Sequence, residues 1–217
     1  MSIEVVNKIG RLHLITQEIA GFAHSAQAEE ACQAGADWIQ VRVKDFDQAQ
    51  WLEVAKACKS VCDRYNATCI VNDNVEIAKA INASGIHLGK SDISPLEARK
   101  ILGKNFIIGA TANSVADVML LLEMPIDYIG LGPFRYTSTK KNLSPLLGLD
   151  GVSAIAKKYG TKMPLIAIGG ILPDDMDALA TAGIFGVAVS GAVFKASDRL
   201  LALSEFSEKI KKASWNH

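Results

Sequence analysis

The 217-residue chain predicts a single (β/α)8 barrel, and three observations carry that expectation. Short, β-branched, apolar runs alternate eight times with longer stretches of helical period. No low-complexity segment interrupts the alternation, and the length suits one barrel better than two domains, so residues 1–217 read as one unit. Several apolar runs are nearly continuous, as expected of parallel strands covered by helices on both faces.

Taken in order, the first strand is expected over Leu12–Thr16 and its helix over Ala26–Ala34. Trp38–Lys44 leads to Gln48–Tyr65, Thr68–Asp73 to Val75–Ala83, and Gly85–Lys90 to Pro95–Leu102. Phe106–Thr111 leads to Val115–Glu123, Tyr128–Pro133 to Leu149–Tyr159, Leu165–Ile171 to Asp174–Ala182, and Gly186–Phe194 to Arg199–Lys212. The helix starts carry fitting chemistry: Ser94 offers a capping hydroxyl before Pro95, and Asp174 and Asp175 follow Pro173 where the helix dipole favours acids. Ala34-Gly35, Ser84-Gly85 and Ala182-Gly183 read as helix stops.

Composition excludes several classes. A formal charge of zero gives no basic field for nucleic acid. No apolar run approaches the ~20 residues that cross a bilayer, and the amino terminus lacks the pattern of an export signal, so no membrane partner and a cytoplasmic location are expected. Cys32, Cys58, Cys62 and Cys69 read as small buried hydrophobes, with no CxxC pair to suggest zinc. No pattern assigns an oligomeric state.

In a barrel, polar residues at strand carboxyl ends converge on one catalytic face, so the unit is read as a catalytic domain. Period-two alternation sends Gln40, Arg42 and Lys44 to the barrel side of one strand. Two cations there require either acidic partners or an anionic ligand such as a phosphate or diphosphate. Asn72 and Asp73 end the next strand, and Asp92 follows the one after. Strands ~4.8 Å apart let the two carboxylates share a divalent cation, and magnesium commonly takes one or two carboxylates plus substrate phosphate oxygens. The competing readings are that Asp92 caps the following helix, or that Asp73 pairs with Arg42.

The segment from Gly132 to Lys140 is longer than a minimal βα turn. Its Thr137, Thr139 and Lys140 suit closure over a phosphorylated substrate. Gly169, Gly170 and Ser190 at the ends of the last two strands suggest a phosphate cup. His87 reads as a hydrogen-bonded core residue without a catalytic role, and Lys211-Lys212 as a solvated helix end.

Gln40-x-Arg42-x-Lys44, Asn72-Asp73-Asn74, His87-Leu-Gly-x-x-Asp92, Gly132-Pro-x-x-x-Thr137-x-Thr139-Lys140 and Ala167-Ile-Gly169-Gly170-Ile, in that order, resemble the thiamine-phosphate synthase family over nearly the whole chain. That family joins 4-amino-2-methyl-5-hydroxymethylpyrimidine diphosphate to a thiazole phosphate. The products are thiamine phosphate and pyrophosphate. The resemblance implies a magnesium-assisted, dissociative transferase acting on small molecules. Gln40, Arg42, Lys44, Asn72 and Lys140 then resemble pyrimidine-diphosphate contacts, with Arg42, Lys44 and Lys140 the catalytic cations. Asp73 and Asp92 resemble the magnesium ligands. Thr111, Thr137, Thr139, Gly169, Gly170 and Ser190 resemble thiazole-phosphate and loop contacts.

Three departures stand out: Lys90 where the family commonly has glutamine, Thr111 where it has serine, and Asn113 where relatives often carry histidine. Lys90 is expected either to supplement the diphosphate clamp or to neutralise Asp92. The rivals are a thiazole tautomerase of the same superfamily, an aldolase using Lys44 as a Schiff base, and a non-catalytic sensor of thiamine phosphate.

Overall fold

The computed structural model describes residues 9–136 and 145–215. Eight parallel strands, β1 (Leu12–Ile15), β2 (Trp38–Val41), β3 (Thr68–Asn72), β4 (Gly85–Leu88), β5 (Ile107–Ala112), β6 (Tyr128–Leu131), β7 (Leu165–Ile168) and β8 (Gly186–Val189), close into a barrel in chain order. Closure comes from β1 pairing with β8, Leu12 opposite Val187. The expected (β/α)8 barrel is what forms.

The helices outside are α1 (His24–Gln33), α2 (Gln48–Arg64), α3 (Val75–Ala80), α4 (Pro95–Leu102), α5 (Val115–Leu122), α6 (Gly148–Tyr159), α7 (Met176–Thr181), α8 (Gly191–Phe194) and α9 (Arg199–Lys212). Their starts bear out the capping logic. Ser94 accepts from the Glu97 N–H in a reciprocal capping box with Pro95 in the first turn of α4, and Asp47, Asn74, Ser114 and Asp198 cap α2, α3, α5 and α9. Ser84-Gly85 is not a helix stop. The chain leaves α3 at Ala80, Asn82 takes a positive φ of 48°, and Gly85 already belongs to β4.

Two apolar layers hold the barrel. One fills the space between strands and helices, and includes all four cysteines. Their thiols are free; burial raises the pKa of Cys58, and Cys32 and Cys62 are raised as the thiols of Cys32, Cys62 and Cys69 meet. The other layer lies inside the strands, where Ile15, Trp38, Ile70, Ile107, Tyr128 and Ile166 pack together. Filling the lower interior leaves space only at the carboxyl ends. Among the described residues no helix is long and apolar enough to cross a membrane.

Most strands stop short of their expected ends, and this matters for the site. β2 ends at Val41, so Lys44 lies beyond it, next to Asp45 with a φ of 57°. The run expected as one strand over Gly186–Phe194 is β8 plus the short helix α8. Ser190 leaves the extended region, and its carbonyl accepts from the N–H groups of Val193 and Phe194. Likewise Pro173–Asp175 is a 3-10 turn preceding α7 rather than part of one helix.

Candidate active site

A cavity of about 990 Å³ opens at the carboxyl ends of the strands. Gln40, Arg42, Asn72, Asp73, Asp92, Thr111, Gly169, Gly170 and Ser190 all line it. Lys44 does not: its strand has ended, its side chain is half-buried outside the lining, and its backbone N–H donates to the Glu18 carboxylate. Thr137, Thr139 and Lys140 lie outside the described residues.

The β2–β4 side is built from charged and amide groups. Gln40, 2 % exposed, donates from Nε2 to Asn72 Oδ1 at 2.7 Å, and Asn72 Nδ2 donates to Asp73 Oδ2 at 2.7 Å. This amide chain orients the Asp73 carboxylate from below. Asp73 itself has a φ of 56°, which turns the chain sharply off β3. Across β4, Asp92 Oδ2 accepts from the Gly89 N–H at 2.6 Å, so Asp92 is held by its own turn while Ser94 caps α4. The helix-cap reading of Asp92 is thereby corrected.

Electrostatics at this mouth favour a cation. Burial, then the neighbouring Asp92 charge, push the Asp73 carboxyl above its ordinary range; the Asn72 hydrogen bond and Arg42 only partly offset them. A carboxylate pushed up by burial and by its neighbour's charge marks a donor pair lacking its counter-charge. Among the described residues no group of three or more His, Cys, Asp or Glu side chains is arranged to hold a metal ion. A protein-only cage is therefore absent there, and the donor set suits a hard cation completed by water and ligand oxygens. Arg42 is half-buried, and burial lowers its pKa against the opposing pull of Glu18 and Asp73. It stays a cation facing the cavity beside the carboxylate pair.

Lys90 does not neutralise Asp92. Its Nζ lies 2.7 Å from Asp117 Oδ1, on the first turn of α5, rather than on Asp92. Asp117 also accepts from the Asn113 N–H at 2.9 Å, and its own N–H is capped by Ser114. Lys90 nonetheless lines the cavity and is half-exposed. Asn113 donates from Nδ2 to the Gly132 carbonyl at 2.5 Å, tying the end of β5 to the end of β6.

The β6–β8 side is built from backbone. Gly169 and Gly170 take φ values of 101° and 67°, which only glycine adopts without strain, and this turns the chain out of β7 around an open concavity. Arg135 braces it from the loop after β6, donating to both Asp175 oxygens at 2.5 and 2.6 Å and to the Gly170 carbonyl at 3.0 Å. A Cβ at Gly170 would meet Arg135 Cβ at 2.8 Å and the Tyr136 carbonyl at 3.0 Å. Ser190 lines this concavity, and among the described residues its buried Oγ has no hydrogen-bond partner. A rotation of that unpaired hydroxyl would offer a hydrogen bond to a ligand oxygen.

Sequence reasoning missed the cavity floor. His87, read as a core residue, lines the cavity together with His13 and Tyr128. The signal was in Gly85-Ile-His87-Leu-Gly89, where period two sets the ring inside the barrel between two glycines. His13 stacks flat on Trp38 at 3.8 Å and is almost wholly buried; burial keeps its pKa well below the ordinary value, so it is neutral.

Comparison with known proteins agrees with this geometry. The family model described as thiamine monophosphate synthase matches residues 12–193. Thiamine-phosphate synthase of Bacteroides fragilis is 42% identical over 190 residues, covering 86% of this chain and 93% of that protein. Thiamine-phosphate synthase of Flavobacterium psychrophilum is 42% identical over 184 residues, covering 83% and 89%. Among solved structures, thiamine phosphate pyrophosphorylase from Pyrococcus furiosus superposes with a TM-score of 0.82 at 29% identity, covering 93% of this chain and 96% of that one. By the span of the family match and the identity to these relatives, the chain belongs to the thiamine monophosphate synthase family of transferases.

Proposed function

We propose that the protein joins 4-amino-2-methyl-5-hydroxymethylpyrimidine diphosphate to 4-methyl-5-(2-phosphooxyethyl)thiazole, or to its carboxylated form with loss of CO2, giving thiamine phosphate and pyrophosphate. The observation that carries this reading is that one cavity has two unlike halves, each suited to an anion. Charged side chains lie at Arg42, Asp73 and Asp92, and a glycine-lined cup with an unpaired hydroxyl lies at Ser190. Two phosphorylated substrates fit such a division, and a cavity of about 990 Å³ accommodates both.

In this reading Gln40 and Asn72 hold the pyrimidine and keep Asp73 aimed at the diphosphate. Asp73 and Asp92 would hold magnesium, whose chemistry is to neutralise charge growing on the leaving pyrophosphate. Arg42 supplies a fixed cation to the same oxygens, joined by Lys140, while Lys44 is left out because it does not line the cavity; Thr111, beside His87 of β4, is assigned to the diphosphate rather than to the thiazole phosphate that the resemblance implied. Departure of pyrophosphate leaves a resonance-stabilised pyrimidine methyl cation, which the thiazole nitrogen captures. Gly169, Gly170 and Ser190 anchor the thiazole by its phosphate, with Thr137 and Thr139 as further contacts. The nucleophile is thus held close before the cation forms. No general base is needed for this sequence.

The tautomerase reading finds less support: Asn113 stands at the histidine position and is engaged with the Gly132 carbonyl. The aldolase reading needs Lys44 in the cavity, where it is not. The test is incubation of purified protein with both substrates and magnesium, followed by mass identification of thiamine phosphate. Conversion of the carboxylated thiazole alone, without the pyrimidine, would replace this reading with the tautomerase.

A further inference from the structure

Period two along β4 puts Gly85, His87 and Gly89 inside the barrel, so the imidazole projects between two positions without side chains. Two further glycines make room for what it touches. A Cβ at Gly130 would lie 2.9 Å from His87 Cε1, and one at Gly109 would lie 2.0 Å from Tyr128 Cζ. The two rings occupy those gaps, stacked with centroids 5.5 Å apart, and Trp38 packs edge-on against Tyr128 at 5.1 Å. The imidazole then bridges two hydroxyls: Nδ1 lies 3.0 Å from Tyr128 Oη and Nε2 lies 3.0 Å from Thr111 Oγ1.

The direction of these hydrogen bonds follows from satisfaction. Tyr128 is fully buried, and Nδ1 is the hydrogen-bond partner of its phenol oxygen among the described residues. A buried O–H without an acceptor is costly, so the phenol donates to Nδ1. Burial also raises the phenol pKa well above 10, which keeps that proton in place. With Nδ1 accepting from the phenol, the ring proton sits on Nε2, which donates to Thr111 Oγ1. A threonine hydroxyl that accepts from below can direct its own proton only elsewhere, and Thr111 lines the cavity.

We propose that His87 is a positioning residue: through Tyr128 and its own Nε2–H it fixes Thr111 so that the threonine hydroxyl donates into the cavity, toward an anionic diphosphate oxygen. The inference rests on the synthase reading for its substrate. A donor already aimed where negative charge grows needs no reorientation during the reaction.

The test compares His87→Gln, whose amide nitrogen reaches the Nε2 position, with His87→Asn, whose amide reaches only the Nδ1 position. Each is made with Thr111 intact and in the Thr111→Val background. His87→Asn is expected to lower kcat about tenfold to a hundredfold, with KM for the diphosphate within about twofold. His87→Gln should recover most of that loss, and neither should matter within about twofold once the Thr111 hydroxyl is gone. Equal losses in both backgrounds, or no advantage of glutamine over asparagine, would overturn the proposal. If His87→Asn does not fold, Tyr128→Phe removes one oxygen and puts the same question. Affinity for magnesium pyrophosphate, measured by calorimetry on the same set, repeats the comparison without turnover. Coupling seen there with no turnover in the unaltered protein would sink the synthase reading and keep the His87–Thr111 relay.

Discussion

The two halves of the cavity are built in opposite ways. The β2–β4 side is made of side chains: Gln40 orders Asn72, Asn72 orders Asp73, and Arg42 stands beside them. The β6–β8 side is shaped by missing side chains at Gly169 and Gly170, with the Ser190 hydroxyl unpaired among the described residues. The first half buries a carboxylate close to another, and burial, then the Asp92 charge, push the Asp73 carboxyl up. The second has no carboxylate pair among the described lining residues and is shaped by the Arg135–Asp175 brace outside it. A diphosphate with a cation suits the first, and a single phosphate suits the second.

The largest expected effect comes from breaking the charged half. Asp73→Ala should lower magnesium-dependent turnover by about a hundredfold or more while the circular dichroism of the barrel is unchanged. Asp73→Asn adds a stability readout. The folded-state pKa of Asp73 stands above its ordinary value, so its ionised form costs stability once the pH exceeds the unfolded value. Asparagine removes that cost, and the thermal midpoint in chelator at neutral pH should rise by about a degree. A fall would show that the pair is satisfied within the protein. Next, Arg42→Ala should weaken pyrophosphate binding about tenfold or more, with thiazole-phosphate affinity within about twofold by calorimetry. Equal weakening of both would erase the division between halves.

Gly170→Val turns the comparison round: thiazole phosphate should bind several-fold more weakly, with magnesium pyrophosphate little changed. The reason differs from simple filling of the cup. At a φ of 67° the side chain is strained, and it meets Arg135 and the Tyr136 backbone, so the loop base must shift and the thermal midpoint should fall as well. Normal thiazole-phosphate affinity would move the cup elsewhere. The smallest effect is expected at Lys90→Gln. A half-exposed pair with Asp117 is worth about 0–1 kcal/mol, so stability should shift by no more than a few degrees and pyrophosphate affinity by less than about fivefold. A larger loss would put Lys90 on the ligand.

Legibility followed the same division. Arg42, Asp73 and Asp92 were readable because charge at a strand end is improbable without a use, and period two placed Arg42. The rule failed at Lys44, because a polar-apolar alternation continues in sequence after the hydrogen-bonded strand has stopped. Gly191–Phe194 read as strand because four apolar residues have no resolvable period. Gly169 and Gly170 were readable as a pair, but that the space beside Gly170 belongs to Arg135 depends on a loop from another strand. His87 was visible as an interior ring, yet its reach to Thr111 depends on Gly130 of β6, and Lys90 on Asp117 of α5. Such partners are set by barrel closure, not by neighbouring sequence.

The decisive assay is pyrophosphate release on mixing the protein with the pyrimidine diphosphate, the thiazole phosphate and magnesium, each omitted in turn. Release, with stoichiometric thiamine phosphate, is expected only when all three are present. Release of pyrophosphate at the same rate without the thiazole phosphate, or none from the complete mixture, would contradict it.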